Sequence, residues 1–128
     1  VKIVKKSVLM EASFNVAVEA VNIYKHLLAK NEYVISKQFL RSATSIGVNI
    51  IEAKYSESKK DFIHKFRIAL KECNETLYWL ELIEYSEEFK IEEVNNISKK
   101  CNSILRMIVS SIQTCEKNLD NADNIKAD

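Results

Sequence analysis

The residues able to do chemistry in this chain are few, and they point to charge recognition more than to bond making. His26 and His64 stand alone, neither in a Cys/His cluster with zinc-ligand spacing. No Glu-x-x-His pair occurs of the kind that holds two metals inside a helical bundle, and no serine has a histidine placed by pattern to activate it. No metal site, cofactor or catalytic group is therefore expected, and the chain reads as a non-enzyme. Two constellations remain. On the third predicted helix, Lys60, His64, Arg67 and Lys71 recur at steps of 4, 3 and 4, with Lys59 and Lys65 nearby. Such a stripe suits phosphate groups. It equally suits charge matching between copies in a ring, or a plain solvated face. On the second predicted helix, Gln38, Ser42, Ser45, Asn49, Glu52 and Ser56 form a polar strip beside the apolar one. Serine and asparagine are poor helix-interior residues, so their presence implies a surface packed closely against them.

Both constellations need long helices to carry them. Residues 34 to 55 show apolar positions Phe39, Ala43, Ile46, Ile50 and Ala53 at steps of 4, 3, 4 and 3, one buried helical face. Gly47 in their midst costs about 1 kcal/mol relative to alanine, which points to a kink or a close backbone approach. The first helix is read from about Ser7 to Lys30, with Phe14, Ala17, Val21, Tyr24 and Leu28 as its buried stripe and Val18 and Leu27 widening it. Asn31 and Glu32 form a tight connection. Ser58 is placed to cap a third helix from Lys59 to Tyr85, ahead of Asp61. That helix buries Phe62, Phe66, Ala69, Cys73, Leu77 and Leu80, flanked by Leu70, Trp79 and Ile83; Tyr78 and Trp79 read as core and interface more than as base-stacking groups. A fourth helix carries Val94, Ile97, Cys101, Ile104, Ile108, Ile112, Cys115 and Leu119. Residues 1 to 6 read as a basic, loose arm. The bundle domain is expected over residues 1–119, with residues 120–128 a polar, disordered tail.

Composition narrows the class. The chain has 128 residues, a length for one domain, and 47% hydrophobic residues argue against disorder. One glycine and no proline exclude most sandwiches, barrels and phosphate-cradling loops. The fold expected is all-α, an antiparallel up-and-down four-helix bundle. Net charge is only +1, yet residues 1–71 carry thirteen Lys and Arg against six Asp and Glu, and residues 72–128 carry six against twelve. From Lys59 to Lys71 the third helix has five Lys and Arg against Asp61, and from Glu72 to Glu88 six acids and no cation. This order opposes the helix macrodipole, so helix stability does not account for it. Cys73, Cys101 and Cys115, odd in number and on apolar stripes, read as reduced thiols in a cytoplasm, and no run suits a signal peptide or membrane span.

The run RSxxSIxxNIxE, here Arg41, Ser42, Ser45, Ile46, Asn49, Ile50 and Glu52, resembles a bacterial family of small four-helix-bundle proteins, many of them encoded within intervening sequences of large-subunit ribosomal RNA genes. Ser58, Lys59, Lys60, Asp61 and Phe62 are similar to the family's S-K-x-[DE]-F lead-in to its third helix, and Ala69, Leu70, Asn74 and Glu75 to its A-L-x-x-x-N-E segment. Gly47 stands where proline is common, and Ile51 and Ala53 where alanine and glycine are. The resemblance implies a homo-oligomer, a pentameric ring. A more distant relative is the accessory variability protein of diversity-generating retroelements, a basic pentamer that works with a reverse transcriptase and its RNA. On that basis the expected partners are further copies of the chain and RNA or a nucleic-acid-processing protein.

Lys59, Lys60, His64, Arg67 and Lys71 are the expected nucleic-acid-binding set. Arg41, Ser42, Ser45, Asn49 and Glu52 are expected to form a seam fixing register between helices or subunits, the rival reading being a small-molecule or RNA pocket. Arg41 and Glu52 lie about 16 Å apart along one helix and cannot pair with each other. A scaffold binding only protein is the alternative function.

Overall fold

The computed structural model describes residues 7–127. Helix α1 spans Val8–Ala29, α2 Ile35–Lys54, α3 Lys59–Tyr85 and α4 Glu93–Ala127, with one 3-10 turn at Glu87–Phe89. Each helix packs on its chain neighbours and α1 closes against α4, so the four form a square antiparallel bundle. The expected basic arm, residues 1 to 6, lies outside the described residues.

Side chains placed at the ends account for the helix boundaries. Ser7 Oγ accepts the Met10 N–H at 3.1 Å and Ser58 Oγ the Asp61 N–H at 3.0 Å, the second as its position predicts. At the close of α1, Asn31 adopts a left-handed conformation with φ 64°. The Asn31 N–H donates to the Leu28 carbonyl at 2.9 Å and the Glu32 N–H to that of Leu27 at 2.9 Å, a Schellman ending with asparagine at its left-handed position. Glu32 then starts α2. Its carboxylate accepts from the N–H groups of Val34, Ile35 and Ser36 at 3.1, 2.9 and 2.6 Å. Burial pushes the Glu32 pKa upward, but the bonds from Ile35, Ser36 and Val34 outweigh it and hold the carboxyl below its usual range.

The core bears out the predicted α2 stripe: Phe39, Ala43, Ile46, Ile50 and Ala53 are all buried. In α4, Val94, Ile97, Cys101, Ile104, Ile108 and Ile112 are buried, while Cys115 and Leu119 pack at the margin. The α3 core line is rotated from its expected position. Ile63, Thr76 and Ile83 enter it with Phe66, Ala69, Cys73 and Leu80, whereas Phe62 and Leu77 are half-buried.

Helix α1 requires a larger correction. Its buried face is Met10, Ser13, Val16, Ala20, Ile23 and Leu27. Of the stripe expected there, Phe14 is 54% exposed, Val18 47%, and Val21 is exposed as well; Ala17, Tyr24 and Leu28 are only half-buried. The helix carries two apolar faces, and the one with Ser13 and Ala20 lies inside. Its small residues let α2 approach: a Cβ on Gly47 would lie 3.3 Å from Ser13 Oγ. Gly47 thus serves close approach. As described, helix α4 runs on past Leu119 to Ala127, a stretch without glycine or proline.

Candidate functional site: the polar α2–α3 seam and the basic face of α3

The polar strip of α2 lies along α3. Ser42 is fully buried, and its hydroxyl donates to the Phe39 carbonyl at 3.0 Å. The Thr76 hydroxyl of α3, equally buried, lies 3.0 Å from Ser42 Oγ and 2.8 Å from the Glu72 carbonyl. These hydroxyls satisfy one another at a contact too tight for larger side chains. Ser45 donates to the Arg41 carbonyl at 2.7 Å and Asn49 to that of Ser45 at 2.8 Å, so both turn back on their own helix. Arg41 crosses to α3 and pairs with Glu72 at 3.3 Å and with Glu75. The bond to Glu72 raises its pKa against burial, and the charges of Glu72 and Glu75 with the bond to Glu75 add to the rise, so it is a permanent cation. Glu52 pairs with Lys65 at 3.7 Å.

All five predicted seam residues therefore lie on the α2 flank beside α3, and the charged pair finds partners within the chain. The seam as drawn requires no second subunit. Sequence reasoning missed those partners: Glu72, Glu75, Lys65 and Thr76. The available signal was the α3 charge order itself, since an acidic half facing Arg41 and a cation facing Glu52 are what antiparallel neighbours need.

The five α3 residues assigned to nucleic acid are all exposed. Lys60, His64, Arg67 and Lys71 fall within one outward arc, as 3.6 residues per turn requires, and the set runs about 16 Å along the axis. Arg67 reaches Glu116 of α4 and is neutralised there. Lys59, Lys60, His64 and Lys71 form no ion pair with another described residue. Internal pairing thus absorbs Lys65, Arg67, Glu72 and Glu75 and leaves a smaller cationic face than the sequence suggests. Further along the same arc, Tyr78 is exposed and meets half-buried Trp79 edge to face with ring centres 5.2 Å apart.

The described residues hold no group of three or more His, Cys, Asp or Glu placed for a metal ion. Cys73 and Cys101 are fully buried, and Cys73 Sγ donates to the Cys101 carbonyl at 3.3 Å. The neighbouring Cys73 and burial together push the Cys101 thiol far up, while its bond with Cys101 draws Cys73 down against burial. Thiols so enclosed act as core groups. No described helix is long and apolar enough to cross a membrane.

The family model described as 23S rRNA-intervening sequence protein matches residues 5–110. The chain belongs to that family. The match covers α1 to α3 entire and the first half of α4, more than the motif residues from Arg41 to Glu75 that carry the resemblance. A crystal structure of a protein of unknown function from the S23 ribosomal protein family of Bacteroides thetaiotaomicron is 46% identical, with a TM-score of 0.79 over 82% of this chain and 98% of that one. A comparison with curated proteins finds no match.

Proposed function

We propose that this member of the 23S rRNA-intervening sequence protein family is a non-enzymatic, homo-oligomeric assembly protein of the cytoplasm that holds structured RNA by its phosphates. The observation that carries the RNA reading is the outward cationic face of α3, where Lys59, Lys60, His64 and Lys71 stand exposed and without internal ion pairs among the described residues. Flexible ammonium groups in a row neutralise phosphates and read no base edge, so the mode is backbone binding without sequence choice. A ring multiplies that weak face, and simultaneous engagement of several copies raises avidity. The ring of five rests on the family resemblance. The names of the family and of the Bacteroides relative, both tied to ribosomal components, favour RNA over other polyanions.

A triple Lys60→Ala, Arg67→Ala, Lys71→Ala variant tests this. All three side chains are exposed, so its melting temperature should hold. Its affinity for rRNA-like hairpins should fall at least ~10-fold, and the slope of log K against log salt should flatten by about two units. Unchanged binding sinks the RNA reading. A scaffold that binds only protein is then the better one. The Arg67–Glu116 pair and the exposed apolar side chains of α1 and α2 favour that second reading.

A further inference from the structure

Two apolar surfaces on this bundle have no role in its core, and they are unlike each other. The first lies over the α1–α2 pair. Val18 and Val21 are exposed on α1, and Val48 and Ile51 are exposed on the neighbouring α2, with half-buried Leu40 beside them. Close packing at Gly47 and Ser13 brings the two helices that carry these rows together. The second lies on the outer side of α3. Tyr78 is 59% exposed and Tyr85 80%, and with Leu82 and Glu81 they frame a depression of about 260 Å³.

Their charges are opposite. The α1–α2 face is bordered by exposed Lys25, one turn beyond Val21, and by exposed Lys37 at the adjoining end of α2. Neither forms an ion pair with another described residue. Glu11 and Lys54, of opposite sign, mark its far end. The α3 face is bordered by exposed Glu81 and Glu84, within a stretch from Glu72 to Glu88 that has no cation.

We infer that the α1–α2 face of one copy docks on the Tyr78–Leu82–Tyr85 face of the next, head to tail, with Lys25 and Lys37 set against Glu81 and Glu84. This rests on the homo-oligomer reading and supplies its contact. One heterologous interface covers both surfaces at once, and repetition closes a ring when the rotation allows. It also explains why α1 carries a second apolar stripe, and why the acids of α3 cluster where the macrodipole disfavours them. The valines and isoleucine would pack against the tyrosine rings, and the charge match would set orientation more than affinity.

The test uses two variants of the whole chain, Val18→Asp/Ile51→Asp and Tyr78→Asp/Tyr85→Asp, studied by native mass spectrometry and size-exclusion chromatography with light scattering. Each alone should be monomeric, its self-association weakened at least ~100-fold. Mixed in equal amounts they should form a dimer and nothing larger, because one intact pair of faces remains. If the tyrosine variant assembles like wild type while the other does not, the copies meet α1–α2 face to α1–α2 face and the inference falls. If both assemble like wild type, another surface holds the oligomer, and the inference falls while the oligomer reading stands. A wild-type chain monomeric at ~100 µM overturns both. Should either aspartate variant lose its helical circular dichroism, Glu81→Lys/Glu84→Lys decides. It should weaken assembly, and adding Lys25→Glu/Lys37→Glu to the same chain should restore it; no weakening overturns the inference.

Discussion

Helices α1 and α2 lie side by side, and both show apolar residues at helical spacing, yet one buries its conspicuous stripe and the other displays it. In α2 the regular apolar line from Phe39 to Ala53 runs beside the polar strip of Ser42, Ser45 and Asn49 and is buried, while only Val48 and Ile51 stay exposed on the far side. In α1 the large residues Phe14, Val18 and Val21 face outward while Ser13, Val16, Ala20 and Ile23 face in. Periodicity specifies that a helix has an inside. It specifies which side that is only when one apolar face exists. Where two compete, the choice falls to the packing distance of the neighbour, and α2 lies too close at Gly47 for a bulky residue on that flank of α1.

Paired truncations give the largest effect expected from this contrast. Phe39→Ala, at a fully buried site of α2, should cost about 3–5 kcal/mol in chemical denaturation. Val18→Ala, on the displayed face of α1, should cost under about 0.5 kcal/mol in dilute solution, with any further loss growing with protein concentration. Equal costs for the two would erase the distinction between the helices.

The α2–α3 contact sharpens it at the next level down. Ser42→Ala and Thr76→Val should each destabilise by about 1 kcal/mol, and the double variant by less than their sum, because the two hydroxyls meet at 3.0 Å. Strict additivity in a double-mutant cycle would mean that the hydroxyls act independently. The smallest effect concerns the joint between the contrasted helices. Glu32→Gln should lose about 1 kcal/mol or somewhat less at pH 7. Since folding holds the Glu32 carboxyl below its unfolded value, its contribution is fully present above the ordinary carboxylate range and disappears as pH falls through the lowered folded pKa. The gap between wild type and variant in melting temperature should therefore close in acid; a gap that widens there would contradict the capping role.

Much of the architecture was legible in the residues. The lack of proline, the single glycine, the unambiguous α2 stripe and the Ser58 cap led directly to four helices in an antiparallel bundle, and the motif around Arg41 to Glu52 led to the family. The seam was legible as a need for a partner, but the partner was not. Arg41, Ser42 and Glu52 announce that something lies against them; that it is α3, through Glu72, Thr76 and Lys65, depends on which residues antiparallel packing sets side by side. The basic stripe was legible as a stripe, while the neutralisation of Arg67 by Glu116, forty-nine residues away, was not.

Local spacing and end-capping chemistry settled where most helices begin and end, because those forces act within one or two turns. Tertiary structure alone decided which apolar face of α1 went inside, how α3 is rotated to bring Thr76 into the core, and which charges remained available to another molecule. Each of those outcomes depends on distances between residues far apart in sequence, and close packing resolves them only when all four helices are in place.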